Sequence, residues 1–174
     1  MDLMLLRVFQ RQVDLECRFL LLAAEEVDQG LRGQNVYRTF YGLQNLLNAG
    51  ANISKALWGP GGKFAGARKP LRDSIGISDD SPLRHVGMRN NFEHVDERID
   101  EWWQKSKGHN HVDLNIGPKK GMFGGLEEID QFRLFDPDTT DITFWGQEFN
   151  LRKIVDEVRS IAPKLAQEAN KPHW

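Results

Sequence analysis

Cysteine is almost absent from the sequence. Cys17 is the single cysteine among 174 residues, so a disulfide bond within the chain is excluded. It lies within an apolar helical pattern, where a cysteine behaves as a small buried apolar residue. A lone thiol of this kind is typical of a protein from a reducing compartment.

Long hydrophobic runs are missing as well. The longest, from Phe19 to Ala24, is far shorter than the ~20 residues that a membrane helix needs. Asp2, Arg7 and Arg11 interrupt the N-terminal segment, so the sequence predicts no secretory signal there. We therefore expect a cytoplasmic protein with no membrane partner.

The chain also lacks a strong excess of charge of one sign. Its 23 basic and 25 acidic residues give a formal net charge of −2, so no global field attracts it to nucleic acid. A local basic patch remains compatible with this balance. Length and ordinary globular composition predict one domain over residues 1–174.

Apolar residues recur at spacings of three and four in four segments, which predicts four helices. They cover about residues 2–29, 35–58, 81–108 and 150–169. The third is expected to begin at Ser81, as an N-cap residue followed by proline at the first helical position. Four such helices can pack as an antiparallel bundle.

Between the second and third predicted helices, residues 59–80 are rich in glycine and proline, which predicts a loop. This segment carries four basic residues, namely Lys63, Arg68, Lys69 and Arg72. They are candidate contacts for the backbone of RNA. The alternative is that they only keep an exposed loop well solvated.

Residues 110–148 change to an alternating pattern that is typical of strands. Asp136-Pro137-Asp138 predicts a turn between two of them, because proline fixes φ and aspartate can bond to the backbone. We expect a small antiparallel sheet of two or three strands. The predicted fold is therefore mainly α, an antiparallel four-helix bundle with a small β-sheet insertion before the last helix.

The third predicted helix separates an apolar and a polar face. Its expected core residues are Met88, Phe92, Val95, Ile99 and Trp102. At 100° per residue, Arg89 and His94 lie on the opposite, polar face, about 140° apart. Asn90 and Glu93 lie between them. A site that uses both Arg89 and His94 would then need a partner surface to close it.

The segment Arg89-Asn90-Asn91-Phe92-Glu93-His94 resembles the signature of the HEPN superfamily, an arginine, four to six residues and a histidine, often with a polar residue after the arginine. That resemblance implies a four-helix bundle, a homodimer that brings two motifs together, and a metal-independent endoribonuclease. It also implies a toxin of a toxin–antitoxin or other defence system, with an antitoxin protein as a possible partner.

The chemistry implied is attack of the RNA 2′-OH on the adjacent phosphate. His94 would act as general acid or base, Arg89 would hold the phosphate, Asn90 would orient either group and Glu93 would steer Arg89. No cofactor is expected. Two other interpretations stay open: a non-catalytic HEPN-like module that binds a protein or a nucleotide, and a stress-related binding domain.

Two further features lie outside this motif. His109 and His111 lack an obvious third ligand, so no metal site is predicted. Trp103 is expected to be partly buried under the sheet, with a dimer contact or base stacking as the alternative.

Overall fold

The computed structural model describes residues 1–119 and 125–172. Within these residues, six α-helices and four short strands form the regular structure. The helices are α1 (Leu3–Arg32), α2 (Val36–Trp58), α3 (Lys69–Ile75), α4 (Arg89–Glu93), α5 (Val95–Lys105) and α6 (Leu151–Ala169). The strands are β1 (Asn115–Ile116), β2 (Leu134–Asp136), β3 (Asp141–Phe144) and β4 (Gln147–Asn150).

The chain divides into two compact units. One comprises Met1–Glu25, Asn45–Val86 and the segment that begins at Lys153, and the other comprises Glu26–Gln44 and Gly87–Arg152. The mainly helical class and the small sheet before the last helix are confirmed. The antiparallel four-helix bundle is not confirmed.

The first unit is built on apolar faces that the spacing predicted. On α1, Val13, Cys17 and Leu20 are buried, and the inward faces of α2 and α6 are buried in the same way. Burial, with the neighbouring Asp14 and Glu16, raises the pKa of Cys17 to about 12. The thiol is therefore protonated and unreactive at neutral pH.

The segment 59–80, predicted as a loop, contains a short helix. Pro60–Gly62 form a 3-10 turn, and α3 follows with Pro70 in its first turn. Gly76 ends α3 in the left-handed conformation, with a φ of 80°. Leu71 and Ile75 are buried, which supplies the packing that a helix of this length needs.

The prediction of a single third helix over residues 81–108 is wrong. Ser81 does act as a cap, because its hydroxyl accepts from the Leu83 N–H at 3.3 Å, but it caps only a 3-10 turn at Pro82–Arg84. The chain then forms α4 and α5, which are separated at His94 by a ψ of 38°. This break shifts the apolar phase, so Ile99, expected in the core, is 43 % exposed.

The sheet has the order β1-β2-β3-β4. The pairs β2–β3 and β3–β4 are antiparallel as predicted, but β1 pairs with β2 in parallel, and β4 was not predicted. The turn at Asp136 is confirmed: its carbonyl accepts from the Thr140 N–H at 2.8 Å. Its carboxylate accepts from the Asp138 N–H at 3.0 Å.

A buried carboxylate anchors α5 within the second unit. Asp130 is fully buried, and its Oδ1 accepts hydrogen bonds from Trp102 Nε1 at 3.0 Å and from the Ser106 hydroxyl at 2.5 Å. Burial alone would raise the pKa of this carboxyl. The hydrogen bonds from Ser106 and Trp102 outweigh burial and hold the pKa below its ordinary value.

The variant Asp130→Asn tests this anchor. A carboxyl with a lowered folded-state pKa stabilises the fold above its unfolded pKa and loses that contribution as the pH falls through the folded value. We expect the variant to lower the free energy of unfolding by about 1–3 kcal/mol at neutral pH, with a smaller loss below about pH 4. Urea unfolding across this range measures both effects. Asp138→Asn, in the exposed turn, is the matched control, and an equal loss in it would contradict the assignment.

Candidate functional site

The Arg89–His94 segment lies at the junction of two helices rather than within one. Hydrogen bonds continue on both sides of the junction, from the His94 N–H to the Asn90 carbonyl at 3.0 Å and from the Arg98 N–H to the His94 carbonyl at 3.1 Å. The backbone of His94 nevertheless leaves the helical region, with a φ of −106° and a ψ of 38°. The angle of about 140° between Arg89 and His94, which assumed a continuous helix, therefore does not apply.

Arg89 is held by its neighbour on α4. Its guanidinium forms an ion pair with the Glu93 carboxylate, four residues along the chain. The Arg89 side chain is only 15 % exposed, whereas Glu93 and Asn90 are exposed. The contact by which Glu93 was expected to steer Arg89 is thus present, and the guanidinium faces a carboxylate.

His94 is accessible and lies beside Glu97, an acidic residue that was not predicted as part of the site. Its side chain is 51 % exposed, and its Nδ1 lies 3.3 Å from Oε1 of Glu97. A carboxylate next to Nδ1 favours the tautomer with the proton on that atom, which leaves the lone pair on Nε2. In a catalytic triad, a carboxylate orients the imidazole through the same ring nitrogen.

Arg98, four residues after His94, contacts other groups. It donates from Nε to Asn91 Oδ1 at 3.2 Å and forms an ion pair with Glu101 at 3.0 Å. Asn91 is buried, and its amide nitrogen donates to Gln147 Oε1 at 3.2 Å. These contacts fix the end of α4 against β4.

A small cavity of about 150 Å³ adjoins this hydrogen-bond network. It is lined by Asn91, Arg98, Glu101, Phe144, Trp145 and Gln147. The Trp145 indole N–H is buried and finds no hydrogen-bond partner in the described part of the chain. The cavity therefore combines amide groups, a guanidinium and the Glu101 carboxylate with an aromatic wall.

The predicted basic residues of segment 59–80 belong to the other compact unit and differ among themselves. Lys63 is exposed, and Lys69 is exposed beside Asp73. Arg68 donates to the carbonyls of Lys55 and Ala56, and its guanidinium lies over the ring of Phe9. It thereby contributes to the fold.

Arg72 is buried and fully engaged by the protein. It donates to the carbonyls of Leu57 and Ala65, each at 2.8 Å, and forms an ion pair with Asp79 at 3.0 Å. Its guanidinium also lies over the ring of Trp58. The contact with RNA stays a prediction for this segment, in which Lys63 and Lys69 are exposed.

Two residues of the site were missed from the sequence, and both had a local signal. Glu97 lies three residues after His94, a spacing that brings side chains together on a helix. Asn91 precedes Phe92, which put it at the edge of the predicted core face. No motif marked it as buried.

The histidines at 109 and 111 pack against aromatic rings. The His109 ring lies 4.2 Å from that of Trp103, and the His111 ring lies 4.4 Å from that of Phe132. Trp103 is 63 % exposed, so its expected burial under the sheet is wrong. In residues 1–119 and 125–172, no group of three or more acidic, histidine or cysteine side chains is placed to hold a metal ion.

None of the helices in the described residues has both the length and the apolar character required to cross a membrane. In comparisons with known proteins, no family model, curated protein or solved structure matches this chain.

Proposed function

We propose that this protein is a metal-independent endoribonuclease of the HEPN type. The observation that carries the proposal is the juxtaposition at the junction of α4 and α5. There an accessible His94 lies beside Glu97, and Arg89 is held one helical turn earlier. Together these residues supply an imidazole, a carboxylate that orients it and a phosphate-binding guanidinium.

His94 performs the proton transfer in this mechanism. Its Nε2 takes the proton from the 2′-OH, and the 2′-oxygen forms a bond to the adjacent phosphorus. The bond from phosphorus to the 5′-oxygen breaks, and that oxygen receives a proton. The products are a 2′,3′-cyclic phosphate and a free 5′-OH. Glu97 keeps the proton on Nδ1 and stabilises the imidazolium that forms.

Arg89 binds the phosphate by exchanging partners. Glu93 holds the guanidinium in the structure, and a bound phosphate replaces this carboxylate with a planar two-point contact. Glu93 is exposed and free to turn towards solvent once displaced. Asn90 is exposed at the start of α4, where its amide can orient the same phosphate.

A second copy of the chain completes the site in this proposal, through the face of α4 and α5. That copy supplies a second imidazole, which serves as the acid for the leaving 5′-oxygen. The cavity beside Asn91 offers amide groups and the Trp145 ring for a nucleobase next to the cleaved bond. Lys63 and Lys69 contact the RNA backbone elsewhere.

A toxin role, restrained by an antitoxin protein, is the biological setting that the HEPN resemblance supplies.

One observation favours a second candidate function, a non-catalytic module that binds a protein or a nucleotide. The Arg89 side chain is only 15 % exposed, and Glu93 neutralises its charge. Such an ion pair can stabilise a binding surface without taking part in catalysis.

The decisive experiment uses matched RNA oligonucleotides. We expect the purified protein to cleave single-stranded RNA equally well with and without EDTA and to leave a 2′,3′-cyclic phosphate. A single 2′-deoxy substitution should abolish cleavage at that position, because the nucleophile is missing. Cleavage at the deoxy position, or its loss in EDTA, would overturn this mechanism. Binding of RNA without any cleavage would favour the second candidate.

A further inference from the structure

The outer face of α1 carries large apolar side chains that no other segment among residues 1–119 and 125–172 covers. Val8 is 51 % exposed, Phe19 is 49 % exposed and Leu22 is 57 % exposed. Leu5 and Leu15 are exposed on the same side. The opposite side of α1 already provides the buried face of the first unit, so this outer face is a second apolar face on one helix.

The spacing of these residues is that of a coiled coil. Leu5, Val8, Gln12, Leu15, Phe19 and Leu22 follow one another at alternating intervals of three and four, and we call this set the α1 seam. A repeat of 3.5 residues keeps side chains in line with a second helix that winds around the first. All six are exposed, and five of the six are apolar.

The size of the seam fits self-association. Five large side chains that are each about half exposed leave on the order of 500 Å² of apolar surface, which is large for a monomer. Two copies that cover each other would bury about twice that area. With the polar rim added, this reaches the range of a stable interface.

Charges beside the seam distinguish two orientations. Arg11 and Arg18 are exposed along the same edge; Arg18 forms an ion pair with Asp14 at 2.9 Å, and Arg11 donates to the Ala169 carbonyl at 3.2 Å. An antiparallel pair of α1 helices would bring Arg11 close to Arg18 of the second copy, twice by symmetry, which is repulsive. A parallel pair separates these arginines and sets Gln12 against its own copy, a polar contact that fixes the register of a dimer.

We propose that the α1 seam is the docking surface for a second copy of this chain, paired in parallel through α1. This proposal does not rest on ribonuclease activity, since it concerns residues of α1 and is read out as mass and cross-linking. The mass of the wild type does not distinguish the α1 seam from the α4–α5 face, so variants of the seam and cysteines placed in it report the α1 pairing.

Sedimentation velocity of the full chain tests the docking surface. We expect the wild type to sediment as an assembly of at least twice 20.0 kDa at micromolar concentration. The double variant Leu15→Glu/Phe19→Glu should weaken the α1 pairing by at least about 100-fold in Kd and thereby lower the mass of the assembly, whether or not the α4–α5 face also pairs; an unchanged mass would overturn the proposal. Both residues are exposed, so circular dichroism should show an unchanged helix content. Tyr37→Glu, at an aromatic residue that is 80 % exposed outside the seam, is the matched control.

Cysteine cross-linking tests the orientation. Val8→Cys and Leu22→Cys should each form a disulfide-linked dimer, because parallel pairing places each residue opposite its own copy. The wild type should form none, since Cys17 is buried. A wild type that stays monomeric up to about 100 µM would overturn the proposal, as would binding of the monomer to anionic vesicles through the seam. A dimer that neither variant cross-links would overturn parallel pairing.

Discussion

Replacing His94 with alanine is expected to lower the rate of RNA cleavage by about 10²–10⁴-fold, the usual contribution of a positioned acid or base. The loss follows from the chemistry proposed, since His94 is the single histidine between Arg89 and Lys105. Stability should change by less than about 0.5 kcal/mol, because the side chain is half exposed and packs little. Single-turnover cleavage of a labelled RNA measures the rate.

The control for this variant is His85→Ala. His85 is exposed at the end of the 3-10 turn Pro82–Arg84 and belongs to neither the motif nor its helices. It should cleave RNA like the wild type. Cleavage by His94→Ala at the wild-type rate would contradict the assignment of His94. If the wild type cleaves no RNA and His94→Ala changes only the assembly of the protein, the non-catalytic module is favoured.

Replacing Arg72 with alanine is expected to lower the free energy of unfolding by about 2–4 kcal/mol. The change leaves the carbonyls of Leu57 and Ala65 without their donor in a buried setting and removes the guanidinium from the Trp58 ring. The exposed Asp79 adds less, since water can solvate it. Urea unfolding followed by tryptophan fluorescence gives the difference.

Lys69→Ala is the matched control on the same short helix. Lys69 pairs with Asp73 at the surface, where an exposed ion pair contributes little, so stability should stay within about 0.5 kcal/mol of the wild type. This variant should instead weaken the binding of RNA. An Arg72→Ala protein that is as stable as the wild type but binds RNA poorly would contradict the structural role of Arg72 and support its predicted contact with RNA.

The long helices were predictable because their apolar spacing is uninterrupted over many turns. Helix α3 was harder to predict, although the sequence contains helix boundary signals: Pro70 lies in its first turn and Gly76 ends it. Glycine is abundant just before them, which favours a loop. A helix of this length depends on tertiary packing, here of Leu71 and Ile75, which no local pattern reveals.

The site was predictable in its residue types but not in its geometry. Arg89 and Glu93 pair as helix spacing requires, because both belong to one short helix. The break at His94 was not predictable, since the sequence there contains neither glycine nor proline. It becomes intelligible only from contacts distant in sequence, Asn91 with Gln147 on one side and Trp102 with Asp130 on the other. These two anchors hold α4 and α5 independently.

The hairpin between β3 and β4 has a further consequence. Both residues of its turn, Trp145 and Gly146, have positive φ, at 48° and 75°. Asparagine or glycine adopts this conformation at position 145 with less strain than tryptophan. The ring packs against Phe132 and Phe144, so tertiary contacts hold the backbone in its disfavoured state. The hairpin therefore cannot be expected to persist as an isolated peptide, and its register should form only after the aromatic cluster has assembled.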